Sequence, residues 1–269
     1  MTTSYFPGHM AKARRQLKEL LPLIDAGIVL LDARAPRASL GVDFNELLGR
    51  RPLIYALNKA DLADPKTTNA WLAYLATAVM IEARGGQGVN HLLDICLTHG
   101  RRQTKVKRPV RLVIMGIPNV GKSSLLNRLA GRRAMAVGDK PGITRARQWV
   151  KVRPDLEILD TPGLLAPRLA DPQAAIILSL IAAIKDEIFS REILAKELIS
   201  LLAVRYPACL PQRYGITPTG DPELDLENIG RGRGFLLPGG RVDPERAAAG
   251  ILTDLRAGRL GRITLEDPT

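Results

Sequence analysis

The sequence predicts an α/β fold: a mostly parallel sheet with helices on both faces, followed by a small helical domain. Three observations lead there. Apolar runs of strand length alternate with helical stretches through the first 170 residues, the pattern of βαβ units. One of these runs, Arg111-Leu-Val-Ile-Met115, passes through a glycine-bounded turn into Leu125-Leu-Asn-Arg-Leu-Ala130, with leucines at helical spacing. From about Gln173 the composition becomes helical. The expected division is an α/β domain with a leader helix over residues 1–170 and a helical domain over 171–269.

In chain order, a short leader from Ser4 to His9 precedes a helix over Met10–Leu21, with Ala13, Leu17, Leu20 and Leu21 as its apolar stripe. Ala26–Leu31 reads as a buried strand, and Pro36 as a turn. Phe44–Leu48 is a short helix and Pro52–Leu57 a strand. The helix over Pro65–Leu75 buries Trp71 and Leu75. The strand Ala78–Glu82 leads through a glycine-rich turn to the helix Val89–His99, with His91 and His99 on its surface. Arg101–Pro109 is a basic stretch that reads as a solvated linker, with direct RNA contact as the alternative. Gly131–Gly142 lacks periodicity and reads as a mobile loop leading to Thr144. Arg147–Val152 is an edge strand beside Leu156–Leu159. Two helices, Ala174–Ile184 and Glu192–Val204, follow, after which Pro207, Pro211 and Pro218 break the chain. Asp243-Pro244 supplies an N-cap and a first-turn proline for a helix to about Ala257, where Gly258 suits the position after the cap.

Bulk properties narrow the function. Lysine and arginine number 39 against 27 acidic residues, a net charge of +12, which favours a polyanionic partner through counterion release. Aromatic residues are only 4%, which argues for contact with a nucleic-acid backbone or shape over stacking on many bases. The longest apolar run, Ala174–Ile184, is well short of the ~20 residues a bilayer demands. No segment resembles a signal peptide. Cys96 and Cys209 lack metal-ligand neighbours and read as reduced thiols, so a cytoplasmic location without membrane insertion is expected.

Two stretches carry chemistry. Gly116-Ile-Pro-Asn-Val-Gly-Lys-Ser-Ser124 lies between strand and helix, the setting of a phosphate-binding P-loop. The backbone amides through Asn119, Val120 and Gly121 would cradle phosphates, Lys122 would reach the β- and γ-phosphates, and Ser123, followed by Ser124, would sit on Mg²⁺. Asn58-Lys59-Ala60-Asp61 ends a strand at the edge where open α/β sheets bind ligands. Guanine presents two neighbouring donors that one carboxylate, Asp61, can accept together; adenine offers no such pair. Asn58 would bond the purine and tie this loop to the P-loop while the Lys59 stem covers the ring. The turn at Glu82-Ala83 is expected to form a second base-binding loop, with the Ala83 amide donating to the guanine oxygen. Thr144 would close onto Mg²⁺ and the γ-phosphate, Asp160 would hold Mg²⁺ through water, and the Gly163 amide would meet the γ-phosphate.

Together these stretches resemble the elements of a translation-factor-class GTPase, but with the base loop ahead of the phosphate loop, the order of the circularly permuted GTPases. Phe6-Pro-Gly-His-Met10 and Asp32-Ala-Arg34 are similar to the YlqF-type branch, the ribosome biogenesis GTPase A family; so are Gly239-Gly240 and Gly258-Arg-Leu-Gly-Arg262 near the carboxyl end. The chain departs from that family after Pro36, where Arg37-Ala-Ser-Leu replaces the usual Asn-Pro pair. The resemblance implies GTP hydrolysis and nucleotide-dependent binding to rRNA in late assembly of the large ribosomal subunit. Leu164 and Leu165 occupy the place of the usual water-orienting glutamine, so turnover by the isolated chain is expected to be slow. The family points instead to His9 acting through a water. Asn119 resembles the asparagine that holds K⁺ in potassium-activated GTPases. Arg205, Arg213, Arg231, Arg233, Arg241, Arg256, Arg259 and Arg262 make the helical region a candidate RNA surface. The alternative is an RNA-binding assembly scaffold in which GTP only tunes affinity. No DNA partner is expected, and the chain is expected to be monomeric off the ribosome.

Overall fold

A computed structural model describes residue 15 and residues 18–40, 44–103, 108–134, 149–159, 171–184 and 188–268. Most of the expected leader helix therefore lies outside the described residues. In chain order the elements are β1 (Ala26–Asp32), α1 (Pro36–Ser39), α2 (Phe44–Leu48), β2 (Leu53–Asn58), α3 (Pro65–Tyr74), β3 (Ala78–Met80), α4 (Val89–Arg101), β4 (Val110–Met115), α5 (Lys122–Ala134), β5 (Trp149–Arg153) and β6 (Leu156–Leu159). Then come α6 (Pro172–Leu180), α7 (Arg191–Arg205), α8 (Cys209–Tyr214), α9 (Pro222–Gly232) and α10 (Pro244–Arg256).

The strands form one sheet in the order β3-β2-β1-β4-β6-β5. All neighbours are parallel except β5, which runs antiparallel to β6 at the edge. The order reverses between β1 and β4: connections from β1 move one way across the sheet and those from β4 the other. A crevice opens at such a reversal, outside the carboxyl ends of the strands. The loops after β1, β2 and β4 all emerge there.

The strands read as unbroken apolar runs because both faces of the sheet are covered. Ile28, Leu30, Leu112 and Ile114 face a core with Leu92, Leu93 and Cys96 of α4, and that core continues into the carboxyl-terminal helices. Their neighbours Val29, Leu31, Val113 and Met115 face the opposite core with Phe44, Leu47 and Trp71. The carboxyl-terminal helices gather around α7, which packs on α6, α8, α9 and α10.

Several expectations need correction. Pro36 opens a short helix at its first position, not a bare turn. The prolines after Val204 do not leave the chain irregular: Pro211 falls in the first turn of α8, and Pro222 begins α9 behind an Asp221 cap. A proline costs nothing there, since a first-turn N–H has no helical partner in any case. Helix α6 starts earlier than expected, behind Asp171, and stops at Leu180 because Ala182 adopts a left-handed backbone (φ 58°). The basic stretch is anchored at both described ends. Arg101 pairs with Asp155 at 2.6 Å, and Arg108 grips the buried Asp25 with two bonds of 2.8 and 2.9 Å.

Ile28 sits at the centre of this frame, fully buried. Replacing it with alanine is expected to lower the unfolding free energy by about 2–5 kcal/mol, read as a lower urea midpoint with an unchanged slope.

Candidate functional site

The turn from β4 into α5 is shaped by backbone that only certain residues adopt. Gly116 has φ 148°, and a Cβ there would lie 2.4 Å from the carbonyl oxygen of Leu30. Gly121 has φ 106°, and a Cβ there would lie 2.3 Å from Asn58 Nδ2. Asn119, with φ 56°, takes the left-handed geometry that asparagine tolerates. Lys122 opens α5, and its ammonium bonds the carbonyls of Gly116 (2.9 Å) and Ile117 (2.6 Å), closing the turn on itself. Burial lowers its pKa from 10.5 to about 8. Ser123 is exposed and Ser124 half-buried in the first turn of α5.

Beside this turn lies the loop after β2. Asn58 is buried, its Nδ2 donating to the Val120 carbonyl at 2.7 Å and its Oδ1 accepting the Ala83 amide at 2.9 Å. Lys59, with φ 62°, donates to the Asn119 carbonyl at 3.0 Å and pairs with Asp32 at 2.8 Å. Ala60 and Asp61 follow, with the Ala60 amide on the Ile81 carbonyl at 3.2 Å. Base loop and phosphate loop, 60 residues apart in sequence, are thus bonded to one another.

Beneath them is a buried charge cluster that the sequence offered only as part of a likeness. Asp32 accepts Arg34 Nε and Nη2, both at 2.9 Å, in addition to Lys59. Burial alone would raise the Asp32 pKa, but Arg34 and Lys59 outweigh it and hold the carboxyl at about 2. Arg34 Nη1 is buried without a hydrogen-bond partner, and the Asp61 carboxylate adds to the field that keeps this guanidinium charged.

The expected site residues divide into three groups. Asn58, Lys59, Asn119, Val120, Gly121 and Lys122 come together, with Ala60, Asp61, Ser123 and Ser124 in the same loops. Glu82 and Ala83 are placed otherwise than expected. The Ala83 amide meant for guanine is taken by Asn58, whose carboxamide, expected also to bond the purine, is engaged at both ends within the protein, and the Glu82 carboxylate accepts the Gly85 amide at 3.0 Å, closing its own turn. His9, Thr144, Asp160 and Gly163 lie outside the described residues. The Asn119 side chain donates from Nδ2 to the Ala182 carbonyl at 2.8 Å, a bond that does not use its Oδ1. Of the expected arginines Arg231, Arg233, Arg241, Arg259 and Arg262 are exposed, and several of the set are paired within the protein. Arg205 pairs with Asp267, Arg213 and Arg259 with Asp254, and Arg231 with Glu227. Arg256 donates to the carbonyls of Ser179 and Leu180, while Arg233 and Arg241 are exposed.

Mg²⁺ is compatible with these groups. Among the described residues no cluster of three His, Cys, Asp or Glu could hold a metal, but magnesium bound to nucleotide takes most of its oxygens from phosphate and water. The Ser123 hydroxyl, exposed at the head of α5, suits that mode.

The sheet, its strand reversal and the paired loops define a circularly permuted P-loop GTPase domain with a helical carboxyl-terminal region. Comparison with known proteins narrows this. The family described as 50S ribosome-binding GTPase matches residues 111–204. Ribosome biogenesis GTPase A of Priestia megaterium is 40% identical, covering 100% of this chain and 98% of the relative, and that of Thermotoga maritima is 34% identical over 98% and 94%. The crystal structure of GNP-bound YlqF from T. maritima superposes with a TM-score of 0.68 at 30% identity, covering 96% of this chain and 98% of that one. The GDP-bound form gives 0.69, with 94% and 99% covered. The chain belongs to the ribosome biogenesis GTPase A family.

Phosphates favour the charged form of Lys122, so binding must restore a proton wherever the free protein has lost it. GDP affinity is expected to be flat up to about pH 7.5 and to fall as pH rises through about 8, with proton uptake seen by calorimetry in buffers of different ionisation enthalpy. A profile flat to about pH 9 contradicts this assignment. Stability has the opposite sign. The unfolded chain keeps this lysine charged up to 10.5, so between about 8 and 10.5 the nucleotide-free protein gains stability with rising pH.

Proposed function

We propose that this protein binds GTP across the two loops, hydrolyses it to GDP and phosphate, and acts in late assembly of the large ribosomal subunit. The observation that carries the reading is the direct bonding of Asn58 to Val120 and of Lys59 to Asn119, which makes one site of two loops. In this reading Asp61 accepts both guanine donors, the Lys59 stem covers the ring, and Lys122 and the amides from Asn119 to Ser124 hold the phosphates. Ser123, Thr144 and Asp160 would hold Mg²⁺, which would supply charge against the β- and γ-phosphates. Gly163 contacts the γ-phosphate. Water attacks the γ-phosphorus, the bond to the bridging oxygen breaks, and His9 orients the attacking water. Asn119 would hold K⁺, which would supply the positive charge that an arginine finger supplies elsewhere.

The relatives are named for ribosome biogenesis, and the net charge of +12 suits an rRNA partner. Residues 1–170 form the nucleotide-binding unit in this reading, and 171–269 the RNA-binding one. The protein works in the cytoplasm as a monomer off the ribosome, without DNA. Among the described residues no helix is long and apolar enough to cross a membrane.

Turnover is expected to be slow for the isolated protein and at least tenfold faster with large-subunit precursors, since the particle would dock His9 and the switch segments; stimulation of this kind reaches far higher factors in other GTPases, about 10³–10⁵. Equal rates with and without particles would contradict the ribosomal role. A His9→Ala variant that binds GTP yet leaves the particle normally would favour the scaffold reading. K⁺ is expected to support faster turnover than Na⁺ at equal ionic strength; indistinguishable rates remove Asn119 from the mechanism.

A further inference from the structure

The segment after α10, which contains the Gly258-Arg-Leu-Gly-Arg262 motif, is not used in the site described above. Gly258 and Gly261, with φ 73° and 91°, turn the chain back from the helical region toward the sheet. Gly258 also leaves room for the base loop, since a Cβ there would lie 2.7 Å from Leu62 Cδ2. Residues 262–267 then run across the carboxyl edge of β1 and β2. Ile263, Thr264 and Leu265 are all buried, Thr264 completely.

Two of the bonds this strap makes lie directly on either side of Asp61, and others hold the neighbouring loop backbone. The carbonyl before it, that of Ala60, accepts Arg262 Nη2 at 2.9 Å. The carbonyl after it, that of Leu62, accepts the Ile263 amide at 3.0 Å. The Thr264 hydroxyl accepts the Asp64 amide at 3.1 Å and faces the Ala33 carbonyl at 3.3 Å, so it joins the loop after β2 to the loop after β1. The Leu265 amide donates to the Arg34 carbonyl at 2.7 Å, next to the charge cluster that holds Lys59. The strap itself is fixed from elsewhere. Tyr206 at the end of α7 bonds the Thr264 backbone at 2.9 and 3.0 Å, Arg205 pairs with Asp267 at 2.7 Å, and Trp71 Nε1 donates to the Glu266 carbonyl at 3.1 Å.

We infer that residues 262–267, through Arg262, Ile263 and Thr264, are positioning residues for guanine recognition: they fix the backbone on both sides of Asp61 and thereby set the aim of its carboxylate. The inference rests on the proposed role of Asp61 as the guanine acceptor. A carboxylate that accepts two parallel donors must be aimed more closely than one that accepts a single donor. The strap should therefore matter most for the second bond, to the exocyclic amine that guanine has and hypoxanthine lacks.

The test compares GDP with inosine diphosphate in the full-length protein. Thr264→Val keeps the volume and removes the hydroxyl, Thr264→Ser restores it, and Arg262→Ala removes an exposed hold with little risk to folding. Thr264→Val is expected to weaken GDP binding about tenfold, with a smaller loss for inosine diphosphate, so that the preference for GDP falls at least about threefold; Arg262→Ala should act in the same direction by about threefold. Thr264→Ser should return the wild-type preference. An unchanged preference in both Arg262→Ala and Thr264→Val, whatever their melting temperatures, overturns the inference. A wild-type protein that binds GDP no better than inosine diphosphate overturns the guanine reading of Asp61 itself, and the two failures are told apart by the wild-type measurement alone.

Discussion

The carboxamide of Asn58 is the constraint on which the site depends. It is buried, and both ends are satisfied by backbone from other loops, Val120 on one side and Ala83 on the other. A buried hydrogen bond contributes only about 1 kcal/mol net, but leaving a buried donor or acceptor unpaired costs about 1–3 kcal/mol. Each loop therefore holds the others in place, since none can move far without exposing or orphaning a polar group. Gly121 is part of the same constraint, because any side chain there would collide with the Asn58 amide.

The charge cluster supports this arrangement from below. Asp32, at the carboxyl end of the central strand, keeps its charge in a buried position because two cations converge on it. Lys59 is consequently held at its tip by Asp32 and the Asn119 carbonyl. Buried ion pairs of this sort are a weak source of stability but can enforce a single geometry. For the cluster around Asp32, that geometry joins β1, β2 and the phosphate loop.

Much of this is legible in the sequence, for physical reasons that can be named. Strands covered on both faces must be apolar throughout, so β1, β2 and β4 stand out. The phosphate turn is legible because two glycines, a lysine and a serine in that register, between a strand and a helix, suit a phosphate cradle and little else. What escapes a sequence reading depends on contacts between distant residues. The Ala83 amide looks free for a ligand because nothing local shows that Asn58 claims it. The charges of Asp32 and Arg34 give no hint of burial. Helices α8 and α9 are hidden because prolines read as breakers; yet Asp64-Pro65, Asp171-Pro172 and Asp221-Pro222 repeat the Asp243-Pro244 pair, whose role as cap and first turn is plain. The strap over residues 262–267 has no periodicity, and its partners in the loop after β2 lie about 200 residues away.

That separation bears on how the molecule comes to maturity. Contacts between chain segments so remote form late, because the loop they close is long and must be ordered before it is rewarded. A nascent chain emerges with its amino-terminal half first, so β1, β2 and the loop after β2 are made before their neighbour β4 and long before residues 262–267. The loop after β2 thus reaches its final form only once residues 262–267 have been made and can pack against it.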